Sequence, residues 1–140
     1  AKKEFWVEAS DWVLSAFGIT APDSQQHLVK RAIGLPGDHV ECCSDSGKLI
    51  INGVEITEPY IAQGVDPSAL EFDVKVPKNS FWMMGDNRSN SSDSRYHQNL
   101  PSKGFVAAKY VVGKAIVVSW PFDRWKWLDN YPAVFENVDK

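Results

Sequence analysis

From residue 27 onward the chain is a succession of short β-type runs, each closed by Gly, Pro or Asn, and this constrains its fold more than any other feature. His27–Ile33 and His39–Cys43 are strand candidates, punctuated by Gly34, Pro36 and Gly37. Lys48–Ile51 and Val54–Ile56 flank Asn52-Gly53, the dipeptide that most readily takes positive φ at both positions of a two-residue hairpin. Val74–Val76, Phe81–Met84, Val106–Tyr110 and Lys114–Trp120 follow as further strands. Runs this short predict a mainly β fold, an antiparallel sheet or barrel, and exclude a β-α-β arrangement.

The chain has 140 residues, one domain's worth. Residues 4–17 read as one amphipathic helix: Phe5, Ala9, Trp12, Val13 and Ala16 share a face, opposite Glu4, Glu8, Asp11 and Ser15. Gly18 is the stop signal, and the acidic polar face argues for packing on the domain over lying on anionic lipid. The tail from 123 to 140 carries Trp125, Trp127, Tyr131 and Phe135, enough aromatic surface to fold back onto the body. The formal net charge of -3, with no basic stripe, excludes general nucleic-acid binding. No stretch approaches the roughly 20 apolar residues that span a bilayer. Any membrane anchor therefore lies outside these residues.

Cys42 and Cys43 are adjacent. Neighbouring Cα atoms stand about 3.8 Å apart, below the roughly 4.4–6.8 Å of an ordinary disulfide, so both are expected as thiols. His27, His39 and His97 are scattered and have no partner cysteines for zinc, so neither a metal nor an organic cofactor is expected.

Two segments carry chemistry. In His27–Ile33, strand alternation puts Leu28, Lys30 and Ala32 on one face and Val29, Arg31 and Ile33 on the other, one cation among apolar neighbours on each. The bland account is an edge strand whose Lys and Arg snorkel to water. Directly after Phe81–Met84 comes Gly85-Asp-Asn-Arg-Ser-Asn-Ser-Ser-Asp-Ser-Arg95, opening a long polar loop over 86–103. Arg and Asp can form bidentate pairs that stiffen such a loop, and a hydroxyl can orient a neighbouring amine. An EF-hand does not fit, because Arg88 interrupts the run and no Glu closes it.

Together these segments closely resemble the type I signal peptidases. Lys30-Arg-Ala-Ile-Gly-Leu-Pro-Gly-Asp38 is similar to that family's lysine box, and Gly85–Arg95 to its last conserved box. Glu58-Pro-Tyr60, Val112-Gly-Lys-Ala115 and Trp120-Pro121 are further points of likeness, and the resemblance spans residues 27–122. It implies the family's antiparallel β architecture and a Ser/Lys endopeptidase that removes signal peptides from exported preproteins at Ala-X-Ala sites. Lys30 would be the general base and Ser91 would orient its amine. Asp86 and Arg95 would form a supporting ion pair, with Asp93 shaping the same loop. Val29 would line the pocket for alanine. The resemblance also implies a cell-membrane protein with its catalytic domain on the extracytoplasmic side. The chemistry needs a neutral amine: a free lysine titrates near 10.4, and burial lowers that value by up to roughly 3–5 units.

One departure from the family is plain. Its serine stands in a Ser-x-Met-x-Pro segment upstream of the lysine, whereas the methionines here are Met83 and Met84, both after Lys30. Ser10 and Ser15 match nothing in that motif. The 140 residues are thus expected to be an inactive piece of a longer protein. Two other classes compete: a non-catalytic homologue that binds peptides or assists a true peptidase, and a self-cleaving Ser/Lys regulatory domain. The latter needs an internal Ala-Gly or Cys-Gly bond, and the sequence has neither. A sheet lacking its upstream strands exposes edges and apolar surface, so the fragment is expected to self-associate. Sedimentation at rising concentration checks this; a strictly monomeric profile would overturn it.

Overall fold

The computed structural model describes Phe5–Trp6 and residues 28–138. Among these residues ten strands build three antiparallel sheets: β1 (Phe5–Trp6), β2 (Lys30–Gly34), β3 (His39–Cys42), β4 (Leu49–Ile51), β5 (Val54–Glu55), β6 (Phe72–Lys75), β7 (Ser80–Met84), β8 (Val106–Ala107), β9 (Val117–Val118) and β10 (Lys126–Trp127). One sheet has the order β1-β2-β7-β8, a second β5-β4-β3-β6, and β9 and β10 form a two-stranded ribbon. None of the three closes on itself among the described residues, so open sheets stand where a barrel was the alternative.

The turn chemistry explains the second sheet. Asn52 and Gly53 both take positive φ, 51° and 81°, and bring Ile51 opposite Val54. Those are the dihedral signs that match a two-residue turn to the twist of its strands. Along β3 and β4 burial alternates with the pleat: Val40, Cys42, Leu49 and Ile51 face inward, while Glu41 and Ile50 are only half-buried. β6 starts at Phe72, earlier than the apolar run at Val74 suggests, because Phe72 pairs with Cys42 and turns its ring into the core.

The two four-stranded sheets share one core. Ile33, Val40, Leu49, Ile51, Val76, Trp82 and Met84 are each at most 2% exposed. Trp82 is its hub, with its ring centroid 5.1 Å from Phe72 and 5.5 Å from Phe105. The tail contributes Phe135 and Val138 to the same cluster, and Tyr131 lies 5.3 Å from Tyr60, ring to ring. Trp125 and Trp127 remain exposed, so the tail's aromatics divide between core and surface.

Several expectations change here. The helix over 4–17 lies outside the described residues except at Phe5–Trp6, and those two form a strand paired with Arg31 and Lys30. Val106–Tyr110 is a two-residue strand followed by a 3-10 turn, Ala108–Tyr110, and Lys114–Trp120 contracts to Val117–Val118. Arg31 does not snorkel; it is 1% exposed. Cys42 and Cys43 are joined in a vicinal disulfide. The separation of about 3.8 Å holds for a trans peptide, whereas this one is cis and the Cα atoms are 2.9 Å apart.

Gly34 sits where the sheets meet, at the register shift between β2 and β7. A Cβ built there would lie 2.8 Å from methyls of both Val40 and Val76 and 3.0 Å from Trp82 Cβ. The glycine is therefore required by close approach of the two sheets. Gly34→Ala should destabilise the fold by about 1–3 kcal/mol, as overpacking of a filled core does. Urea denaturation checks this through the midpoint, which should fall with little change in slope.

Candidate active site

The site grows from the pairing of β2 with β7. Arg31 stands opposite Met84 in the antiparallel register, so Lys30 and Gly85 leave the sheet at the same end. The Lys30 amine donates to Ser91 Oγ at 2.7 Å. Gly85 is what permits this approach: a Cβ there would collide with the Ser91 side chain and stand 3.6 Å from Lys30 Nζ. The expected pairing of Lys30 with Ser91 is thus present as a contact between strand and loop.

The loop is held by charge. Asp93 caps the short 3-10 turn Ser94–His97 and accepts from the backbone N–H of Gly85 at 2.9 Å. Arg95 reaches back to the same carboxylate through Nε at 2.9 Å and Nη2 at 2.8 Å, a bidentate pair with neither side chain exposed. Burial on its own would raise the Asp93 carboxyl. The Arg95 guanidinium, the Gly85 N–H and the Ser91 hydroxyl outweigh it and hold the group below the ordinary carboxylate range. Ser94 accepts from the Met83 N–H at 2.9 Å and stitches the turn to β7.

The expected Asp86–Arg95 ion pair does not form. Asp86 is instead gripped by Arg31, Nε to Oδ1 at 2.8 Å and Nη2 to Oδ2 at 2.9 Å, while Arg95 is taken by Asp93 two residues away. The reason lies in β2: Arg31 is buried beside the loop's first residues and needs a carboxylate there. Sequence reasoning also passed over Arg88. Its guanidinium donates twice to Glu58, from Nη1 at 2.8 Å and from Nη2, and its Nε donates to the Gly85 carbonyl at 2.9 Å. Burial acts to lower the Arg88 value, but the hydrogen bonds and charge of Glu58 prevail and raise it. Tyr60 completes the cluster, donating its hydroxyl to Glu58 at 2.8 Å with the Arg31 guanidinium 3.7 Å from its ring centroid. Burial, then the Glu58 charge, pushes the Tyr60 phenol far up. The signal for these residues was available: Glu58 and Tyr60 lie in the Glu-Pro-Tyr stretch, and a buried cation at Arg31 demands a partner.

Val29, next to Lys30, is 50% exposed, as Leu28 is at 66%, so apolar surface borders the amine. Elsewhere His39, Glu41 and Asp73 place one donor atom each within 4.8 Å of one another, a set able to take a cation; His39 already bridges the two carboxylates. His97 lies with Nδ1 2.7 Å from the Asp93 carbonyl oxygen, and His27 is outside the described residues.

A profile of the family described as signal peptidase, peptidase S26, matches residues 10–120. The chain belongs to this family. It is 41% identical to signal peptidase I of Mycobacterium tuberculosis over 134 residues, which cover 86% of this chain and 44% of that protein. It is 43% identical to signal peptidase I S of Bacillus subtilis over 107 residues, 70% of this chain and 54% of that protein. The crystal structure of a signal peptidase I from Enterococcus faecalis superposes with a TM-score of 0.54 at 27% identity, covering 81% of this chain and 94% of that one. The chain thus spans about half the length of the mycobacterial and Bacillus relatives. The mainly β, antiparallel fold is shared with the signal peptidase structure.

Asp93→Asn should cost about 3–5 kcal/mol at neutral pH, because it leaves the Arg95 charge buried without its counter-charge. The acid dependence follows from sign. Asp93 titrates lower folded than unfolded, so the unfolded chain binds the extra proton. The stability it contributes is complete above the unfolded value, about 3.9, and drains as pH falls through the lower folded one. Denaturation midpoints from pH 5 to pH 2 should therefore fall less steeply in the variant. Equal slopes would show that Asp93 is not the group responsible.

Proposed function

We propose that this chain supplies the general-base half of a serine endopeptidase that removes signal peptides from exported preproteins. The observation that carries the reading is the 2.7 Å contact between Lys30 Nζ and Ser91 Oγ. It stands at the end of a buried strand, with apolar surface at Leu28 and Val29 beside it.

In this reading the neutral Lys30 amine takes the proton of the nucleophilic serine as that oxygen attacks the scissile carbonyl. The amine then returns the proton to the leaving nitrogen. One N–H committed to Ser91 restricts rotation about the lysine's last bond and so aims the lone pair. Asp93 keeps Ser91's loop in place through Gly85, and the Arg31–Asp86 pair keeps the loop's start beside β2. Val29 would border the small pocket that accepts alanine in an Ala-X-Ala site. The nucleophile is proposed to come from a segment outside these 140 residues, because no Ser-x-Met-x-Pro stretch occurs in them.

The setting proposed is the outer face of the cell membrane. No helix among the described residues is long and apolar enough to cross a membrane. The exposed Trp120, Phe122, Trp125 and Trp127 give the domain aromatic surface of the kind that sits at a lipid–water interface.

The test uses the full-length protein and a preprotein with an Ala-X-Ala site. Lys30→Ala should lower the cleavage rate by at least about 10³-fold, the scale lost when a base and nucleophile act as one unit. Circular dichroism should stay that of the wild type. Cleavage by Lys30→Ala at the wild-type rate would remove the assignment. Failure of both proteins to cut would favour a peptide-binding or accessory homologue.

A further inference from the structure

We propose that Glu58 and Tyr60 are the positioning residues of this site, holding the lysine strand and the serine loop in a single register; the proposal rests on the Ser/Lys reading above. Both lie in the segment after β5, remote in sequence from Lys30 and from Ser91. Contacts from this one pair reach both sides of the Lys30–Ser91 hydrogen bond.

The loop side runs through Glu58. Its side chain is 1% exposed, and its carboxylate accepts from both terminal nitrogens of Arg88 and from the Tyr60 hydroxyl. Arg88 is held further by Nε on the Gly85 carbonyl and by Nη1 on the Pro67 carbonyl at 3.0 Å. The Arg88 carbonyl in turn accepts from Arg95 Nη2 at 3.1 Å, so the Glu58 pair continues into the Asp93–Arg95 pair that shapes the turn after Ser91. The strand side runs through Tyr60. Its ring carries the Arg31 guanidinium at 3.7 Å, and Arg31 is the residue after Lys30. The same guanidinium grips Asp86, the residue after Gly85. Displacing the Glu58–Tyr60 unit therefore removes one tie between strand and loop and leaves the Arg31–Asp86 pair as the other, which loosens their register. A buried cross-link would do this whether or not the lysine mattered, so the decisive quantity is the Lys30–Ser91 distance itself.

Two substitutions separate positioning from bulk stability. Glu58→Gln keeps volume but turns one of the two oxygens facing Arg88 into a donor, so one arm of the fork meets another donor. Tyr60→Phe keeps the ring under Arg31 and removes only the hydroxyl on Glu58. Both are made in the full-length protein. The Lys30–Ser91 contact is read as the nuclear Overhauser effect between the lysine ε-methylene and the serine β-methylene. Cleavage is read as kcat and KM separately. Glu58→Gln should weaken that Overhauser effect and lower kcat by about 10–100-fold with KM within about twofold, since a misplacement near 1 Å costs that much. Tyr60→Phe should do the same to a smaller extent.

An undiminished Overhauser effect in folded Glu58→Gln would overturn the positioning role whatever kcat does. A weakened effect with wild-type kcat would uphold positioning and overturn the Ser/Lys reading on which it stands, so the two failures are distinguishable. Should Glu58→Gln fail to fold, Tyr60→Phe is read by the same criteria.

Discussion

Three arginine–carboxylate pairs fix the course of the loop that carries Ser91: Arg31 with Asp86, Arg88 with Glu58, and Arg95 with Asp93. Each guanidinium is at most 2% exposed. A charge taken that far from water is tolerable only with a partner in good geometry, and each of these pairs is bidentate. The constraint then works backward on the chain. Residues 85–95 cannot relax into a solvated loop, because doing so would strand Arg31 without Asp86 and Glu58 without Arg88. Arg88, Asp93, Ser94 and Arg95, residue types that composition would place in water, are thereby buried, while Asn87, Ser89, Asn90 and Ser92 stay exposed.

The pairs are distributed in a way that joins separate parts of the fold. Arg95–Asp93 is local and closes a 3-10 turn. Arg31–Asp86 ties β2 to the loop across 55 residues, and Arg88–Glu58 ties the loop to the segment after β5 across 30. Beneath them the apolar core provides the fixed frame. Trp82 and Met84 of β7 are fully buried, and β7 is the strand that delivers Gly85. Packing sets where the loop starts, and paired charge sets where it goes. Ser91 meets Lys30 because both conditions hold at once.

This division explains what could be read from the residues. The Asn52-Gly53 hairpin was legible because its turn needs a particular pair of φ angles, and the sequence supplies the two residue types that take them. Lys30 and Ser91 were legible as a pair through likeness to a family, since nothing local links positions 61 apart. The partners of the arginines were not. Asp86 and Asp93 are equivalent on paper, and the choice between them for Arg95 depends on Arg31 already occupying Asp86. Arg31 in turn looked like a surface cation, because strand alternation names two faces but cannot say that both are covered. The thiols of Cys42 and Cys43 were misjudged for a different reason, an assumed trans geometry. Propensity describes each segment alone, whereas pairing among buried charges is settled jointly.

The same joint settlement bears on the chemistry. A lysine that serves as a base must part with its proton, and an unpaired carboxylate nearby would hold that proton on. Asp86 and Asp93 are both drawn into the structure around Lys30 by the loop that carries Ser91. Each is covered by a guanidinium of its own. The arginines thus do two things that one set of residues must do together. They give the loop its shape, and they let acidic side chains build that shape beside the proposed base. Ser91, neutral and hydroxylic, is then the suitable group to touch the amine directly: it accepts from Nζ without adding charge. In the proposed chemistry, the acidic residues of the loop serve the lysine only because the arginines come with them.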